Sequence, residues 1–130
     1  MDHPVYWEWF RAHDRIIVGH DARGIVALID GTPVAGCVMD NWSDASCQIH
    51  HVLKKPMIIR SGWLKIALSA AFGERRLSVY SFIPECNEKS MKFHQHAGFK
   101  ETGRVVDGFA PGEDYVLVTM RREACKYLEK

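Results

Sequence analysis

The segment NEKSMKFHQHAGF, residues 87–99, decides how this chain reads. Asn87 offers a side-chain acceptor suited to the free N–H groups at a helix start, and Glu88 places negative charge at the positive end of that helix. Gly98 suits the left-handed position that ends one. Between them Ser90, Phe93, His94 and Ala97 recur at helical spacing and share a face, while His96 falls on another side as a surface residue. The segment therefore reads as a capped helix running directly into a strand at Phe99. His94 lies on the helix's shared face, where the ring either only packs or handles protons.

Working outward, RLSVYSFI (76–83) alternates as a strand, with Leu77, Val79 and Ser81 on one side and Ser78, Tyr80 and Phe82 on the other. Before it, SGWLKIALSAAFGE is apolar on nearly every side, through Trp63, Leu64, Ile66, Ala67, Leu68, Ala70, Ala71 and Phe72. A helix over 61–73, capped by Ser61 and ended by Gly73, should be buried deeply against a sheet. SCQIHHVLKK reads as a strand over 46–54 that stops before Pro56. Its adjacent His50 and His51 must face opposite ways, and a bulge is expected in it. Ile25–Ile29 and Val34–Met39 flank DGTP, a hairpin signal. VYWEWFRAH forms a short amphipathic helix with Val5, Trp9 and Tyr6 on one side. Downstream, FKETGRVV and DYVLVTMR are strands joined by DGFAPGE. The order is hairpin, strand, buried helix, strand, helix, two strands, which predicts a mixed sheet with a right-handed crossover through the 61–73 helix.

The 130 residues fit one domain over 1–130, large enough for a substantial core. With 47% hydrophobic and 25% charged residues the chain has the composition of a soluble globular protein. A formal charge of +1 and scattered Lys/Arg pairs give no basic stripe, so no nucleic-acid partner is expected. No segment reaches the roughly 20 apolar residues of a membrane helix, and the N-terminus is unlike a signal peptide. Cys37, Cys47, Cys86 and Cys125 lack close pairing, as expected of reduced thiols in a cytoplasmic protein. Cys47, His50, His94 and His96 can be gathered into a zinc site only on paper. The paired short spacings of such sites are absent, so no metal is expected.

The element order together with NEKSMKFHQHAGF resembles the GNAT superfamily of acyl-CoA-dependent N-acetyltransferases. In that family an Asn-x-x-Ala/Ser step opens the helix and a Gly-Phe pair begins the next strand. Asn87, Ser90, Gly98 and Phe99 stand at those positions. The tail VLVTMRREACKYL is similar to the ending of a compact branch common in phages and prophages. The resemblance runs over residues 24–128 and is strongest over 76–120. It implies an α/β (α+β) fold with a mixed, mostly antiparallel twisted sheet flanked by helices. It also implies direct transfer of an acetyl group from acetyl-CoA to an amine in a ternary complex.

The family's pyrophosphate loop reads Gln/Arg-x-x-Gly-x-Gly/Ala, and counting from Pro56 its positions here are Ile59, Gly62 and Leu64. Only Gly62 matches. Two readings follow. Arg60 and the N–H groups of Ser61, Gly62, Trp63 and Leu64 hold the pyrophosphate at a helix N-terminus, or the fold persists with cofactor binding weakened or lost. The second reading corresponds to a non-catalytic phage structural or host-interaction protein.

On the resemblance, cofactor lies in a gap between strands 46–54 and 76–83. Main-chain groups near Val52 and Leu53 polarise the thioester carbonyl. Asn87 meets the pantetheine arm, although capping explains it equally, and Ser90 contacts cofactor or packs the helix. His94 stands where many members carry a tyrosine acid, and either His50 or His51 serves as base. Trp42 and Tyr115 line an acceptor pocket or simply pack. The acceptor amine is unspecified, and a short N-terminus leaves apolar surface that a homodimer would cover.

Overall fold

The structure, a computed structural model, describes residues 8–10, 21–55 and 62–128. Six strands form one sheet. In chain order they are β1 (Arg23–Ile29), β2 (Thr32–Asp40), β3 (Ser46–Leu53), β4 (Ser78–Pro84), β5 (Lys100–Ala110) and β6 (Glu113–Arg121). Helix α1 (Trp63–Phe72) joins β3 to β4, and α2 (Glu88–Ala97) joins β4 to β5. The spatial order is β1-β2-β3-β4-β6-β5. Only β3 and β4 run parallel, since a helix and not a hairpin connects them; every other neighbouring pair is antiparallel.

Alternation along the strands divides the core in two. Cys47 and Ile49 of β3, Val79 and Ile83 of β4 and Val116, Val118 and Met120 of β6 pack under Leu64, Ala67, Leu68, Ala71 and Phe72 of α1 and Ala97 of α2. On the opposite face Val38 and Val52 meet Phe10. Residues 8–10 are helical, and Phe10, not Trp9, is the fully buried member. A Cβ on Gly36 would collide with the Phe10 ring, so only glycine lets that ring seat against β2. Val5 and Tyr6, assigned to the same helix from sequence, lie outside the described residues.

Three local readings need correction. The N-cap of α1 is Gly62, at φ 90 and with no side-chain capping bond, whereas the sequence points to a cap at Ser61, which lies outside the described residues. β3 pairs with β2 in unbroken register from Ala35↔Leu53 to Asp40↔Gln48, so it carries no bulge there. Register shifts fall instead in β1, between Ala27 and Leu28, and in β5, between Glu101 and Gly103 and between Val105 and Ala110, where the strand continues to Ala110 although the DGFAPGE stretch reads as a connection. Asp107 makes this possible: it adopts φ 55, its N–H donates to the Asp114 carboxylate, and its own carboxylate accepts from the Gly112 N–H. Pairing with β6 lapses over residues 106–109 and resumes at Ala110↔Glu113.

Candidate active site

β3 and β4 begin side by side and then separate. Their register is Ser46↔Ser78, Cys47↔Val79 and Gln48↔Tyr80, and no pairing follows although β3 continues to Leu53 and β4 to Pro84. Beyond Gln48 the edge of β3 that faces β4 has no strand partner, whereas its other edge stays bonded to β2. A cleft of about 800 Å³ opens at the divergence. Its walls come from both faces of the sheet: His51, Ser81, Asn87, Ser90 and His94 on the helix side, and Gln48, His50, Phe82 and Tyr115 on the other. A molecule threaded between the strands would therefore have an end on each face.

The two neighbouring histidines divide between these faces, and both line the cleft. His50 lies opposite the helices. Its Nε2 is 3.1 Å from the carboxylate of Asp40, which is buried at the end of β2. A carboxylate can only accept, so the ring carries its proton on Nε2 and leaves Nδ1 as a lone pair. Asp40 carries no prominent motif. It could have been found by register, since a hairpin partner of β3 sets a polar residue of β2 two positions along from His50 on one face.

His51 lies under the helices. Its Nε2 accepts from the Trp63 indole N–H at 3.2 Å, which places its proton on Nδ1, and Nδ1 is sealed from solvent without a partner. Burial, reinforced by the His94 and His50 charges, lowers its pKa to about 3. His94 is buried among the rings of Phe93, Phe99 and His51. Its Nδ1 lies 2.8 Å from the Ser90 backbone carbonyl, which can only accept, so Nδ1 is protonated and Nε2 is an unpartnered lone pair. Burial lowers the His94 pKa, and the Ser90 hydrogen bond opposes this in part. The proton that the expected acid would give away is therefore committed to the helix backbone.

The remaining sequence candidates separate. Asn87 caps α2 by accepting from the Ser90 N–H, and it also lines the cleft. The side chains of Val52, Trp63 and Leu64 are buried in the cores, and Leu53 packs against the larger one. None of these four, nor Gly62, lines the cleft. The Ile66 N–H donates to the Gly62 carbonyl in the first turn of α1, and the N–H groups of Trp63 and Leu64 precede it at the helix N-terminus. Arg60 and Ser61 lie outside the described residues. Tyr115 faces the cleft, in edge contact with Phe82 and Phe109. Trp42 instead stacks under Arg76, away from it. Among the described residues no three His, Cys, Asp or Glu side chains are grouped to hold a metal ion, and no helix is long and apolar enough to cross a membrane.

No protein-family profile and no curated protein matches the sequence. Solved structures do match the fold. A protein described as a probable acetyltransferase superposes with a TM-score of 0.66 at 21% identity, over 93% of this chain and 71% of that one. A spermidine N-acetyltransferase SpeG variant from Vibrio cholerae gives 0.69 at 15% identity, over 95% and 75%. RimJ from Mycobacterium smegmatis, solved with CoA-disulfide, gives 0.68 at 20% identity, over 92% and 61%. With its diverging parallel pair and these likenesses, the chain has the GNAT acetyltransferase fold.

Proposed function

We propose that the protein transfers an acetyl group from acetyl-CoA to an amine. The observation that carries this is the cleft itself: an unpaired β3 edge leads to a His50–Asp40 pair on the face away from the helices. The residues present fit the co-substrate. The unpaired edge offers peptide groups to an extended chain, and the buried His94 Nε2 is an acceptor awaiting a donor. Acetyl-CoA supplies an acetyl group activated as a thioester.

Asp40 holds the His50 ring so that Nδ1 is the free base, and gives the imidazolium a counter-ion. Nδ1 takes the proton that the amine loses as its nitrogen bonds the acetyl carbon and the carbon–sulfur bond breaks. Peptide N–H groups on the open β3 edge would polarise the acetyl carbonyl. A thiol of ordinary pKa, about 8.5, leaves as thiolate without obligatory help from an acid and takes its proton from water. His51 is engaged by Trp63, so of the adjacent histidines His50 is the base. The aromatic wall of Phe82, Tyr115 and Phe109 suits an acceptor with apolar surface near its amine.

The test is thiol release from acetyl-CoA with a panel of small amines, peptide N-termini and lysine peptides. Release with one acceptor class, reduced about 10²–10⁴-fold in His50→Gln, is expected of a general base. Binding of acetyl-CoA with no release from any acceptor would instead support a non-catalytic protein of this fold.

A further inference from the structure

His51 and His94 form a pair whose unmet hydrogen bonds are complementary. Trp63 fixes one ring with a sealed, unpartnered Nδ1–H, and the Ser90 carbonyl fixes the other with a sealed, unpartnered Nε2 lone pair. The rings stand 6.3 Å apart, edge to face, in the wall of the same cleft. One donor and one acceptor left unmet at neighbouring positions are each costly. Both are relieved by a single uncharged group that accepts on one side and donates on the other.

Water and a secondary amide both have that character. A buried water makes about three hydrogen bonds, whereas this pair is packed mainly by the rings of Phe93, Trp63 and Phe99, with the Ser90 hydroxyl on the Nδ1 side of His94. A secondary amide has one N–H and one carbonyl and asks for nothing more. The pair also lies where β3 has lost its β4 partner, the place where a strand's own peptide groups would otherwise run.

We infer that His51 and His94 together bind one secondary amide of the CoA pantetheine arm, with His51 donating to its carbonyl and His94 accepting from its N–H. This rests on the acetyl-CoA reading above. It makes both histidines neutral binding residues, which remain in one protonation state through the reaction. An amide from a peptide acceptor has the same chemistry, but the helix side of the sheet lies across the cleft from His50 and Asp40, so the cofactor arm is the source.

The experiment is titration of the full chain with CoA alone, and separately with an acceptor-like N-acetylated peptide, read by imidazole ¹⁵N NMR and by calorimetry. CoA should move the His94 Nε2 and His51 Nδ1 resonances while both rings stay Nδ1-protonated. His94→Phe should weaken CoA about tenfold, and His94→Gln, whose amide oxygen can accept, should recover part of that loss. Unmoved resonances with unchanged affinity in His94→Phe would mean that a water fills the site. Resonances moved by the peptide and not by CoA would reassign the amide; either result overturns the inference. Failure of the wild-type chain to bind CoA at all would sink the acetyl-CoA reading, and this inference with it.

Discussion

Asp40 is the residue on which the chemistry turns, because a single carboxylate decides which nitrogen of His50 is free. Asparagine at this position keeps the size but can present an N–H to the imidazole, which favours the opposite tautomer and withdraws the base. Asp40→Asn should lower kcat by at least about tenfold, with a smaller change in the KM for acetyl-CoA, as steady-state kinetics would show. The two histidines on the helix side make a prediction of a different kind. Both have pKa values depressed by burial, His51 to about 3. Unfolded histidine binds its proton near pH 6.5, so between that pH and the folded values the unfolded chain holds more protons than the native one. Stability from these rings is complete above about pH 6.5 and falls as the pH drops below it, for His51 down to about pH 3, by up to about 1.4 kcal/mol per pH unit for that ring. Urea unfolding at pH 7 and pH 5 should show the decline. In the His94→Phe, His51→Phe double variant the slope should flatten.

Between the helices, α2 was legible at both ends, and α1 in its span, burial and Gly73 terminator but not at its start. The Asn87 cap and the Gly98 terminator appear in the structure as read, the second at φ 109 with its N–H returned to His94 and Gln95. Local chemistry fixes both ends of that helix, so its sequence suffices. Asn87→Ala should cost about 1 kcal/mol, or roughly 3–5 °C in Tm by calorimetry, and should weaken CoA as well if the side chain reaches the pantetheine arm. At the start of α1 the helix opens on a left-handed glycine facing open space, a choice made by backbone conformation and invisible to a search for hydroxyl caps. Gly62→Ala should destabilise by about 1–2 kcal/mol through φ alone, since an added Cβ would meet no neighbour. The irregularity in β5 was hidden for a related reason: Asp107 reads as a loop residue, yet its N–H donates to Asp114 and its carboxylate accepts from the Gly112 N–H.

For the whole molecule, the succession of hairpin, crossover helix and closing pair of strands was plain in the sequence, but the placing of β6, and not β5, beside β4 was not. The site too was only partly legible. A sequence shows that His50 and His51 oppose one another, and the resemblance implies a gap between β3 and β4, but only the tertiary pairing shows that both faces reach one cleft. It also hides tautomers, which depend on Trp63, Ser90 and Asp40 arriving from other elements. A ligand lying along that seam should stabilise the native state by mass action, raising Tm progressively with acetyl-CoA concentration.

The claim beneath all of this is that the seam between β3 and β4 receives acetyl-CoA, and backbone amide NMR tests it most directly. Titration with acetyl-CoA should shift the amides of residues 49–53 and 81–94 together and saturably, leaving β1 unaffected. No shifts at millimolar acetyl-CoA, or shifts confined to residues away from the seam, would contradict the account.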